Sequence, residues 1–135
     1  MITGIMDSLQ TAIGTALGTS WSVYELLDVE LIAPKVCLIV PNDEPEALEG
    51  YTTDGSRRFV TCAADVYLFE GKDEDSIDAL GTAFASVKGV LGPRLGSNIL
   101  RDWQASDFKL YEGDEDNPTI ELSGIKITAN YWGTE

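Results

Sequence analysis

Apolar residues recur at helical spacing at the start of the chain: Ile5, Met6, Leu9, Ile13, Ala16 and Leu17. The pattern predicts an amphipathic helix over about residues 4–17, packed on a sheet, with Thr3 as N-cap and Gly18 as C-terminal stop. The stretch "SWSVYEL" then reads as extended. "PKVCLIVP" is a continuous apolar run between Pro34 and Pro41, the signature of a strand covered on both faces. The segment Asn42 to Arg58 is polar and carries Pro45, Gly50 and Gly55 without a clear period. It predicts a long loop at about 42–57, mobile in the free chain and ordered on assembly.

Strict alternation returns in "RRFVTCAADVYLFEG". Val60, Cys62, Ala64, Val66 and Leu68 share one face, and Phe59, Thr61, Ala63, Asp65, Tyr67 and Phe69 the other. A second helix follows, with Asp75 or Ser76 as cap and Ile77, Leu80, Phe84, Val87 and Leu91 as the buried stripe. Gly92 and Pro93 stop it, and "PRLGSNILRDW" predicts one more short helical turn. "ASDFKLYEG" and "NPTIELSGIKITANYW" are two strand patterns around a turn built from Gly113, Asp114, Asn117 and Pro118. In the last strand the apolar parity slips at Ser123-Gly124, which predicts a bulge there. The order of elements describes one α+β domain over residues 1–135. Its sheet is largely antiparallel or mixed, with about four to five strands and two main helices packed on it.

Charge narrows the function. The chain has 135 residues, 23 acids against 9 bases, and a formal charge of −14. Duplex binding needs a basic footprint, so this balance opposes ordinary nucleic-acid recognition, and it opposes docking on anionic membranes too. The N-terminus has no basic leader, and Asp7 and Gln10 interrupt its apolar run, so it does not read as a secretory signal. Cys37 and Cys62 lie in apolar strand patterns and are expected to be buried free thiols of a reducing compartment.

Candidate chemistry is sparse. The chain has no histidine, which removes the usual nucleophile–histidine pairs and the commonest metal ligand. "EGKDEDS" lacks the pattern of a phosphate loop. "LGPRLGS" follows a helix, the wrong context for a dinucleotide site. The acids Glu112, Asp114, Glu115 and Asp116 crowd a turn. Counted as a calcium loop from Asp114, they meet Thr119 where a glycine is needed and Ile125 where a glutamate is needed. No cofactor, metal or catalytic residue is expected, and the acids are expected to act through solvation or repulsion of phosphate.

Three stretches resemble the tail terminator proteins of long-tailed bacteriophages. One is the N-terminal helix followed by "VYELLDVELIAPKVCLIVP". Another is "EGYTTDGSRRFVTCAADVYLFEGKDEDSIDALGTAF". The third is "GVLGPRLGSNILRDW" with the C-terminal "IELSGIKITANYW". The resemblance implies a structural virion protein: a hexameric ring at the head-proximal end of the tail. Such a ring caps the tail tube, meets the neck or head-completion proteins, and lets phage DNA pass through its lumen. Assembly would take place in the host cytoplasm. Asn42, Asp43, Glu44, Glu46, Glu49, Tyr51, Asp54, Arg57 and Arg58 are the candidate assembly loop. Glu112, Asp114, Glu115 and Asp116 are the candidate acidic rim or lumen tip. Two alternatives stay open: another neck, head-completion or tail-tube component, and an acidic module that mimics DNA before a basic partner.

Overall fold

A computed structural model describes residues 2–25, 35–70, 74–112 and 119–135. The first helix, α1 (Ile2–Leu17), buries Ile5, Met6, Leu9 and Ile13, the stripe that the spacing predicts. Gly18 ends it at φ +79°, where a β-carbon would be strained, and its N–H closes on the Gly14 carbonyl at 3.1 Å. Thr3 is not the cap, because the helix already begins at Ile2.

The strands are β1 (Ser22–Glu25), β2 (Val36–Tyr51), β3 (Arg58–Glu70), β4 (Arg94–Leu95), β5 (Asn98–Glu112) and β6 (Thr119–Thr134). The second helix, α2 (Glu74–Leu91), lies between β3 and β4. It starts before Asp75 and Ser76, so neither is its cap. The six strands form one sheet in the order β1-β2-β3-β6-β5-β4. Only β1 and β2 run parallel. The α+β class is as expected, but the sheet has six strands, not four to five. Its edge strands β1 and β4 have four and two residues, too few to display a period.

Two other expectations fail for local reasons. The segment after Pro93 is a hairpin, not a helical turn: Arg94 pairs with Ile99 and Leu95 with Asn98. Gly96, at φ +62°, makes that two-residue connection possible. In β6, pairing to β3 runs unbroken through Gly124 and Ser123, so there is no bulge at that point. The extra residues are Arg101 of β5, between Leu100 and Asp102, and Glu121 of β6, opposite the step from Leu110 to Tyr111.

Both helices pack on one face of the sheet. Leu80, Ala83, Val87 and Leu91 of α2 join the buried stripe of α1 over Cys37 and Ile39 of β2, the predicted inner face of β3, and Ile127, Ala129 and Tyr131 of β6. Tyr131 is buried and its hydroxyl donates to the Leu91 carbonyl at 2.6 Å, satisfying one orphan acceptor at the end of α2. At Gly92, just beyond, a β-carbon would collide with Leu100. The opposite face is buried as well along Val36, Leu38 and Val40, as the proline-bracketed run predicts. Among the described residues, no helix is long and apolar enough to cross a membrane.

Cys37 and Cys62 are free and buried. Cys37 pairs with Leu68, six residues along β3 from Cys62. That is about 20 Å at the strand rise, far beyond disulfide reach. Burial pushes the Cys37 thiol up to about 12 and, with Glu46 nearby, the Cys62 thiol up to about 11. Burial raises the Tyr131 phenol as well. Folded values above the unfolded ones stabilise fully below the unfolded thiol value, near 8.5, and are lost as pH rises through the folded values. The melting temperature should therefore be level just below about pH 8 and fall steadily above about pH 9. A Cys37→Ala/Cys62→Ala variant should show a shallower alkaline fall. Intact mass under non-reducing conditions should show both thiols.

Candidate functional site

The segment expected to be a long loop is mostly strand. β2 runs on to Tyr51, and the connection to β3 is a turn over residues 52–57. The irregular sequence appears as irregular pairing. Pro41 pairs with Ala64 and Glu46 with Cys62, so Asn42 to Pro45 stand against Ala63 alone. Glu49 is a second extra residue, between the Leu48–Val60 and Gly50–Phe59 pairs. Pro45 fits because it sits in the bulged stretch, where no ladder N–H is needed.

The polar side chains of this arm have specific tasks. Asn42 turns inward and donates to both oxygens of Asp65, at 3.1 and 3.2 Å. Its own carbonyl oxygen accepts from the Glu44 N–H at 3.1 Å, which folds the bulge into an Asx turn. Asp65 is 5% exposed in the middle of β3. It also accepts from the Thr128 hydroxyl at 2.7 Å and lies 3.8 Å from the Lys126 amine. The carboxylate beside Lys126 raises the pKa of that amine. A buried acid is thus tied to β2 and β6 at once.

Glu46 accepts from the Ile2 N–H at 2.8 Å. It places a negative charge at the N-terminus of α1, where orphan donors and the helix dipole favour it. The Ile2 bond holds its carboxyl below the usual range. The cap of α1 therefore comes from 44 residues away in sequence. Glu49 accepts from the Thr61 hydroxyl at 2.8 Å. Glu46, Glu49 and Thr61 line a groove of about 360 Å³, together with Asn42, Glu44, Arg101 and Asn130.

At the tip, Asp54 accepts from the Thr52 and Ser56 hydroxyls, both at 2.7 Å, and from the Ser56 N–H. The Ser56 and Thr52 donors hold its carboxyl down to about 2. Gly55, at φ +73°, closes this turn. Arg58 pairs with Glu135 at 2.9 Å and exchanges both backbone bonds with it. Asp43, Tyr51 and Arg57 are exposed.

Sequence reasoning missed the apolar character of this end of the sheet. Leu48 pairs with Val60 on the helix side, yet it is 56% exposed, and Tyr51 is 64% exposed. The helices do not reach that far. On the other side Phe59, Ile99 and Trp132 are exposed, with Phe59 and Trp132 ring centres 6.4 Å apart and Arg101 over the Trp132 ring. The available signal was the single apolar residues Leu48 and Tyr51 inside a polar stretch. Of the acidic rim, Glu112 closes β5, while Asp114, Glu115 and Asp116 lie outside the described residues. Among the described residues, no three Asp, Glu or Cys side chains are grouped to hold a metal ion. The arrangement is one of contacts: bonded acids beneath an exposed apolar end.

Two substitutions separate these roles. Asp65→Ala leaves Asn42 and Thr128 without their acceptor and Lys126 without its counter-charge. It should lower unfolding free energy by about 2–3 kcal/mol in urea titrations. Glu46→Ala removes an exposed cap and should cost about 0.5–1 kcal/mol at neutral pH. The folded Glu46 value is lowered, so its contribution is present above the unfolded value of about 4.3 and lost as pH falls through the folded one. Wild type and Glu46→Ala should therefore converge in acid.

No protein-family model matches this chain, and no curated protein matches it.

Proposed function

We propose that this protein is a structural ring component of a bacteriophage tail, one that caps the tail tube and joins it to the head. The observation that carries the reading is the exposed apolar end of the sheet. Tyr51, Leu48, Phe59, Ile99 and Trp132 stand there outside the helix-covered core. Scattered exposed apolar residues need no explanation, but a gathered set of aromatics beside arginine has the composition of a protein contact surface. Here Leu48 and Tyr51 lie on one face of the sheet end and Phe59, Ile99 and Trp132 on the other, so a copy can meet a neighbour through one side and a tube subunit through the other.

The acidity fits the same reading. A conduit for DNA works better when its wall repels phosphate, and a chain at −14 supplies that field. Glu112, Asp114, Glu115 and Asp116 are the proposed rim. Hexameric symmetry, contact with tail tube and neck proteins, residence in the virion, and the absence of any enzymatic task or cofactor belong to this proposal through the resemblance to tail terminators.

The test is assembly. Purified protein mixed with tail tubes should form rings at one tube end in electron micrographs. A Leu48→Ser/Tyr51→Ser variant should keep its fold, since exposed substitutions cost within about half a kcal/mol. It should lose tube capping by at least about tenfold, the size of two lost contact anchors. Protein that ignores tubes but displaces DNA from a basic protein would overturn the ring reading in favour of a DNA mimic.

A further inference from the structure

The two long edges of the sheet differ. The outer edge of β2 beyond the β1 pairing carries Pro45 and both bulges. Such features blunt an edge against further pairing. The outer edge of β5 has no such protection after Arg101. From Asp102 to Leu110 it pairs with β6 without a break, and it contains no proline or glycine. β4 covers it only at Asn98 and Ile99. Leu100 still donates its N–H to the Pro93 carbonyl at 2.9 Å; among the described residues nothing pairs with that edge beyond it, and residues 101–107 are all exposed. A straight, unprotected edge is a template for another strand.

We propose that this edge pairs with the same edge of a second copy, antiparallel, about a twofold axis at Gln104. The sequence along β5 selects both the occupant and the register. With Gln104 opposite itself, Trp103 faces Ala105 on the helix side and Asp102 faces Ser106 on the other. The straight stretch ends toward its N-terminus at the bulged Arg101, which lies over the Trp132 ring on the face away from the helices. Large meets small and no two like charges meet; cross-strand neighbours of these kinds stabilise sheets. Centring on Trp103 would oppose two indoles, and centring on Ala105 would set Trp103 against Asp107. The contact also covers Trp103, which is 39% exposed although it packs edge-on against Phe84 at 6.0 Å. A twofold contact is isologous, so one edge suffices for both copies. It uses the edge opposite the β2–β3 arm and does not depend on the ring reading.

Cysteine substitution in the full chain tests the register. Cys37 and Cys62 are buried and do not interfere. Directly opposed residues have α-carbons about 5.5 Å apart or less, within disulfide reach. Two copies of residue 107 would lie six strand positions apart, about 20 Å. Wild type should sediment as a dimer. Gln104→Cys should give a disulfide-linked dimer under mild oxidation, and Asp107→Cys should not. Gln104→Glu, which opposes two carboxylates on the axis, should shift the protein to monomer with unchanged circular dichroism. A monomeric wild type at high concentration, an undiminished dimer for Gln104→Glu, or cross-linking of Asp107→Cys as fast as Gln104→Cys would each overturn the proposal.

Discussion

Twelve consecutive residue pairs join β3 to β6, from Phe59–Thr134 to Glu70–Ser123, without one irregularity. The rest of the molecule is arranged around this ladder. Because it is regular, the period of two holds over its whole length, and every second side chain of both strands faces the helices. Val60, Cys62, Ala64, Val66 and Leu68 meet Ile127, Ala129 and Tyr131 in one apolar surface. The two helices are held by what they find there. Leu91 is buried in that surface and its carbonyl is bonded by Tyr131, so the end of α2 is fixed by packing and by a hydrogen bond together. Asp65, on the other face of the ladder, ties β6 and the bulged part of β2 to the same two strands.

Irregularity lies outside this ladder, in the pairings of β2 with β3 and of β5 with β6. β2 absorbs its extra residues as bulges and so carries Glu46 to the start of α1 while its end reaches past the helices. β5 has its bulge at Arg101 and is straight after it. Asp54, Glu46 and Glu49 of the arm serve as turn former, helix cap and hydroxyl acceptor. Leu48 and Tyr51 stand on the surface beside them. The apolar residues offer contact area, and the net charge of the chain sets what can approach it.

The residue pattern by itself determined the elements that are regular. Ile5, Met6, Leu9 and Ile13 repeat at the helix period, and Val60 to Leu68 at the strand period, because burial of one face acts on every turn or every second residue. The α+β class follows from those periods, and so does the burial of Cys37 and Cys62. The tertiary structure alone decided the rest. Asn42 to Tyr51 has no period, since its bulges shift the register twice, so it reads as loop although Glu46 to Leu48, Gly50 and Tyr51 are paired with β3. β1 and β4 are too short to show a period. Thr3 looks like a cap because capping signals are read locally, whereas the acceptor used is Glu46, which only the path of β2 brings to Ile2. Asp65 sits in the middle of an apolar strand with nothing local to explain it. Its partners Asn42 and Thr128 lie 23 residues before and 63 after it, and only sheet pairing brings such distant donors to one carboxylate.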